Sequence, residues 1–210
     1  MRNLIILTFL VLSHQGFSQI LPSSHGVHHK KSSSWAGSDT WDSSTKANCI
    51  TLSNGNRTLL ESNCGGAGTW NSVYGSIGVS SGIKEWEVTI DAWDDFGTNN
   101  FDVMVGIARS RNNLYVHFQN GSVGYGYILQ NGGKYYNSFS NYGASYGVGD
   151  VIKISFNGDT NQLTFYKNGV SQGLAYTVSE GTYYLAVSVV KSTNTRITIT
   201  NWLNRFFKIF

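Results

Sequence analysis

After its first two positions Val151-Ile152-Lys153-Ile154-Ser155-Phe156 alternates apolar and polar side chains, and Leu163-Thr164-Phe165-Tyr166-Lys167 alternates again. Between the two runs stands Asn157-Gly158-Asp159-Thr160-Asn161, residues that accept left-handed backbone, and Asn168-Gly169 follows the second. A period of two buries one face of a strand and wets the other, whereas a helix repeats near 3.6. The stretch therefore predicts a β-hairpin with a second tight turn behind it. Asp150, just before the first run, is a short acceptor placed to hold a turn's backbone N–H groups.

The same alternation recurs in short runs at 85–92, 101–108, 114–118, 126–130, 182–190 and 195–202, divided by Gly- and Asn-containing turns. No window carries an apolar stripe at helical spacing over more than two turns, and the chain holds 24 glycines and one proline. This pattern predicts an all-β protein, a two-sheet antiparallel β-sandwich of jelly-roll type. The length suits one domain with a real core and hardly two.

Organisation follows from composition. Residues 4–12 are apolar behind Arg2 and lead into a polar stretch, the pattern of a secretory signal peptide over 1–19. The run is about half the roughly 20 residues a membrane-spanning helix needs. Residues 20–46 are rich in Ser, His and Lys and read as a flexible leader, with Trp35 and Trp41 expected to dock on the domain. His25, His28 and His29 lack a fourth ligand and are read as a solvated tail, not a metal site. The sandwich is expected over 47–202, and the apolar extension 203–210 as a strand covering an edge.

An exported chain meets an oxidising compartment, so Cys49 and Cys64, the two cysteines, are expected to form a disulfide across a hairpin centred on Asn54-Gly55-Asn56. Sequons at Asn56 and Asn120 lie in predicted turns. The net charge of +3 is too small to suggest nucleic acid, and charged residues are 13% of the chain, a surface with little self-repulsion.

An ordered set of motifs resembles the SPRY domain family. It comprises Ser81-Gly82-Ile83-Lys84-Glu85-Trp86-Glu87-Val88, Val105-Gly106-Ile107-Ala108, Gly124-Tyr125-Gly126-Tyr127, Gly149-Asp150-Val151-Ile152 and Phe165-Tyr166-Lys167-Asn168-Gly169. The resemblance covers roughly 70–202. It implies two antiparallel sheets packed face to face and recognition of partner peptides by loops at one sandwich edge. Carried onto this chain, the implied contact residues are Asp94, Asp95 and Phe96, then Arg109 and Arg111, then Lys134, Tyr135 and Tyr136.

Catalytic parts are sparse. His117 is the one histidine inside the expected domain, no cysteine is left over, and no Gly-x-Ser-x-Gly elbow occurs. Glu85 and Glu87 share a strand face, but Trp86 between them suits a core aromatic beneath a solvated pair better than a glycosidase dyad. Asp91, Asp94, Asp95 and Asp102 could attract calcium, yet lack EF-hand spacing. The sequence thus predicts a secreted, non-enzymatic module with no cofactor and no metal, binding a protein or peptide partner. Two other readings stay open: a self-assembling coat or filament protein, and a lectin stacking sugars on Trp93, Tyr135 or Tyr136.

Overall fold

A computed structural model of the chain describes residues 39–62, 70–94, 102–109, 111–114, 118, 124–190 and 194–200. These fourteen strands form two seven-stranded sheets. One has the order β1 (Trp41–Lys46), β4 (Trp70–Val79), β13 (Tyr183–Val190), β6 (Val103–Ala108), β7 (Gly124–Ile128), β8 (Lys134–Tyr136), β9 (Ser138–Ser140). The other runs β12 (Val170–Thr177), β11 (Gln162–Lys167), β10 (Val151–Asn157), β5 (Ile83–Ala92), β14 (Thr195–Ile199), β3 (Thr58–Glu61), β2 (Ile50–Ser53). Every pairing is antiparallel. The expected all-β sandwich is the fold found.

The hairpin of β10 and β11 is in the register its alternation demands, with Ile154 opposite Phe165 and Phe156 opposite Leu163. Ile152, Ile154, Phe156, Leu163 and Phe165 are fully buried, and Trp86, Val88 and Ile90 of β5 continue the same inner face. At about 25 cal/mol per Å² of apolar surface, each such side chain stabilises the fold by roughly 1.5–3 kcal/mol. The turn residues do what their types allow: Asn161 and Asn168 have φ of 56° and 48°, and Gly169 has 83°. Asp150 accepts from Gly147 N at 2.9 Å, while Asn168 donates to Asp150 at 2.7 Å and accepts from Val151 N at 2.9 Å. One carboxylate and one carboxamide thus lock the entry of β10 to the turn after β11.

Two features differ from the sequence reading. Strand β1 takes up the last six residues of the stretch read as leader; Trp41 docks completely, as expected, and its backbone N–H donates to Asn56 O at 2.7 Å. The alternation at 114–118 does not appear as a strand among its described residues, Leu114 and Phe118. Instead Phe118 is buried with Tyr74, Met104, Ala108, Ile128 and Ala186 on the outer face of the first sheet. Apolar residues can pack against a sheet face without pairing in a sheet, so alternation alone does not establish a strand. A Cβ on Gly126 would stand 2.5 Å from the Phe118 ring, which is why glycine lines this seat. Strands β8 and β9, where no alternation was read, are three residues each.

Candidate interaction surface

The gap between the β8–β9 edge of one sheet and the β12 edge of the other is closed by segment 141–150. Tyr142 donates to Gly173 O at 2.5 Å, Tyr146 to Tyr127 O at 2.7 Å, and Tyr127 to Ala144 O. Tyr127 packs edge-on to Tyr142 at 5.5 Å and lies 5.2 Å from Phe165. Burial pushes the hydroxyls of Tyr127 and Tyr146 up, and that of Tyr142 up to about 12. Lys134 donates to Ala175 O at 2.6 Å, its ammonium 4.7 Å from the Tyr176 ring centre and 5.5 Å from that of Tyr142. With Gly173 O and Ala175 O both capped by side chains, β12 is a poor template for an added strand.

That closure decides how several expected contact residues are used. Lys134 and Tyr136 point between the sheets, and Tyr136 stacks on Tyr125 with centroids 4.4 Å apart and planes 8° apart. Tyr135 faces the other way, against the small outer core with Phe118. All three are partly buried and take part in packing.

The remaining expected residues are split between opposite ends of the sandwich. Tyr183 pairs with Val79, at the turn that leads into β5, and Tyr184 pairs with Ala108. Arg109, just past Ala108, therefore lies at the end where β5 begins. Asp94 lies two residues past the end of β5, a strand of ten residues spanning about 30 Å. Asp95 and Phe96 lie outside the described residues.

At the first end, Arg109 is exposed, yet its Nη2 donates to Glu180 O at 2.7 Å and its guanidinium carbon sits 5.9 Å from the Tyr183 ring centre. Arg111 is half-buried, 4.4 Å over Tyr184 and ion-paired with Asp42. Burial pushes the Asp42 carboxyl up, but bonds from Ser44 and Arg111 outweigh it and hold it below the usual carboxylate range. Asp159 accepts from Gly82 N at 2.9 Å and so ties the β4–β5 turn to the β10–β11 turn at this end. Nothing in the sequence separated Arg109 from Arg111; in the fold Arg111 pairs with Asp42 of β1, while Arg109 reaches Glu180 O.

Glu85 is exposed and paired with Lys153 at 2.9 Å, and Trp86 is 2% exposed on the inner face, but Glu87 is buried, so the expected solvated carboxylate pair is not formed. Asp91 accepts from Thr198 Oγ1 at 2.5 Å. Among the described residues no three His, Cys, Asp or Glu side chains gather to hold a metal ion. Cys49 is buried beside the β2–β3 hairpin, and none of the described cysteines is free. Asn56 sits in that hairpin's turn at φ 62°. Cys64, Asn120, His117, His25, His28, His29, Trp35 and the extension 203–210 lie outside the described residues. No helix among the described residues is long and apolar enough to cross a membrane.

Residues 84–201 match the sequence model of the SPRY domain, and the chain belongs to that family. Its fold is that of solved SPRY structures. The SPRY domain of human HERC1 is 23% identical with a TM-score of 0.65, covering 79% of this chain and 99% of that one. A further human SPRY domain (18%, TM-score 0.57) covers 72% of this chain and 94% of its own. The PSpry domain of TRIM65 (16%, TM-score 0.59) covers 79% and 93%. No curated protein matches the chain.

Proposed function

We propose that the protein is an exported, non-enzymatic interaction module that binds a peptide segment of a partner protein at the sandwich end carrying Arg109. Membership of a family of interaction domains supports binding as the activity. The observation that carries the choice of surface is Arg109 itself: of the described expected contact residues it alone is exposed, and its fork is already held by Glu180 O and the Tyr183 ring. A cation positioned before a partner arrives loses less side-chain entropy on binding, and its planar donors suit carboxylates and carbonyls. Export over 1–19, a Cys49–Cys64 disulfide and glycans on Asn56 or Asn120 belong to the same reading. Selection of a displayed peptide library on the full chain tests it. A shared motif should emerge and bind Arg109→Ala roughly 30-fold more weakly, the size of a hot-spot loss near 2 kcal/mol. Motifs that bind Arg109→Ala equally well would remove this surface.

Self-association is the second reading, favoured by Phe139 on β9 and by Val170 and Leu174 on β12, large apolar side chains 42%, 66% and 52% exposed on two edge strands. Light scattering of the full chain against a Phe139→Ser, Leu174→Ser variant tests it; identical monomers would discard it.

A further inference from the structure

Five Asn-Gly pairs stand in the sequence, and the structure describes four of them: Asn54-Gly55, Asn131-Gly132, Asn157-Gly158 and Asn168-Gly169. Such a pair can convert spontaneously, because an unhindered glycine leaves its preceding amide nitrogen free to reach the asparagine side chain. The glycine N attacks Cγ, the new N–Cγ bond closes a five-membered imide, and the side-chain nitrogen leaves as ammonia. Water then opens the ring at either carbonyl, giving aspartate or isoaspartate; the net change is one water in and one ammonia out. Two conditions are needed: a carboxamide that can rotate towards the glycine, and a glycine N–H not held elsewhere.

Three of the four described pairs fail one or both. Asn168 is pinned at both ends, accepting from Val151 N at 2.9 Å and donating to Asp150 at 2.7 Å. Asn157 Oδ1 accepts from Asp159 N at 3.0 Å and Thr160 N at 3.2 Å, and Gly158 N is spent on Gly82 O at 2.8 Å. Asn131 Oδ1 accepts from Gly133 N at 2.8 Å, and Gly132 N donates to Ile128 O at 3.2 Å. At Asn54-Gly55 neither hold exists among the described residues. Ser53, Asn54 and Gly55 are exposed at the tip of the β2–β3 hairpin, and a Cβ placed on Gly55 would meet nothing within 4 Å.

We propose that Asn54-Gly55 is a site of spontaneous deamidation in the folded protein, and that the fold protects the other three described pairs. The site is not isolated from the core. Isoaspartate would lengthen the backbone by one carbon inside the turn whose Asn56 O receives Trp41 N at 2.7 Å and whose Arg57 O receives Ile199 N at 2.9 Å. Conversion should therefore loosen the start of β1 as well as add a negative charge.

The test is incubation of the full folded chain at mildly alkaline pH, followed by peptide mapping with mass spectrometry that separates aspartate from isoaspartate. The expected result is an amide-to-acid mass shift, with both isomers, in the peptide holding Asn54, and no comparable shift at Asn131, Asn157 or Asn168. The same incubation in denaturant should convert all four, which separates protection by the fold from intrinsic reluctance of the peptides. An Asn54→Ser variant should lose the folded-state shift. Conversion of Asn131, Asn157 or Asn168 as fast as Asn54 in the folded chain, or no conversion at Asn54 there, would overturn the proposal.

Discussion

Replacing Asp150 by alanine tests how far a single turn carboxylate holds the sheet edge together. Its oxygens accept from Gly147 N at 2.9 Å and Asn168 Nδ2 at 2.7 Å, and Lys167 Nζ lies 3.3 Å away. Hydrogen bonds to a charged group contribute about 1.5–3 kcal/mol each when protected. The Asp150 side chain is 22% exposed, so solvent screening reduces the sum to about 2–3 kcal/mol. For a domain of this size that is a fall in Tm of roughly 5–10 °C. The effect depends on pH. Burial pushes the Asp150 carboxyl up, but bonds from Asn168, Gly147 and Lys167 outweigh it and leave it below its ordinary value. A depressed folded pKa means stability that is present above the unfolded value, about 3.9, and lost as pH falls through the folded one. Urea unfolding of wild type and Asp150→Ala across pH should show curves that are separated near neutrality and converge in acid. Asp150→Asn, which keeps an acceptor oxygen but no charge, should recover part of the loss. A variant within about 0.5 kcal/mol of wild type at neutral pH, or a gap that persists unchanged into acid, would refute this reasoning.

Gly106→Ala should destabilise by more than the roughly 1–3 kcal/mol of ordinary overpacking, since its Cβ would stand 1.9 Å from the backbone oxygen of Tyr125; urea midpoints report it. Burial pushes the hydroxyls of Tyr74 and Tyr142 up to about 12, so ultraviolet titration should show tyrosines that ionise later than free ones. Raised folded values mean stability complete below the ordinary pKa near 10 and lost as pH rises towards 12; equal titration of all tyrosines before unfolding would contradict the packing. Lys134→Met should keep the volume but leave Ala175 O uncapped, and increased aggregation at unchanged secondary structure would show that the capped β12 edge resists strand addition.

Much of the fold is written locally. Alternation along β10 and β11, Asn-Gly turns and Asp150 before a strand each name their own structure, because a period of two and a positive φ are properties of a few adjacent residues. The alternation around Trp86 likewise placed it inward and Glu85 in solvent, but Glu87, read as solvated with Glu85, is buried at 8% exposure. The surface was less legible because it depends on partners distant in sequence. Lys134 and Tyr136 read as exposed contact residues until β12, β7 and segment 141–150 supply Ala175 O, Tyr125 and Tyr142 as their neighbours. Arg111 loses its freedom to Asp42, which lies 69 residues earlier in a stretch read as leader. Asp94 and Arg109 belong to adjacent loops in the motif order, yet strand direction sends them to opposite ends.

The measurement that bears most directly on the binding account is the affinity of a selected peptide for three forms of the full chain: wild type, Arg109→Ala and Lys153→Ala. The lysine lies on the outer face of the second sheet, paired with Glu85. The account predicts a loss of roughly 30-fold for Arg109→Ala and almost none for Lys153→Ala. Equal affinities for all three forms, or a loss confined to Lys153→Ala, would contradict it.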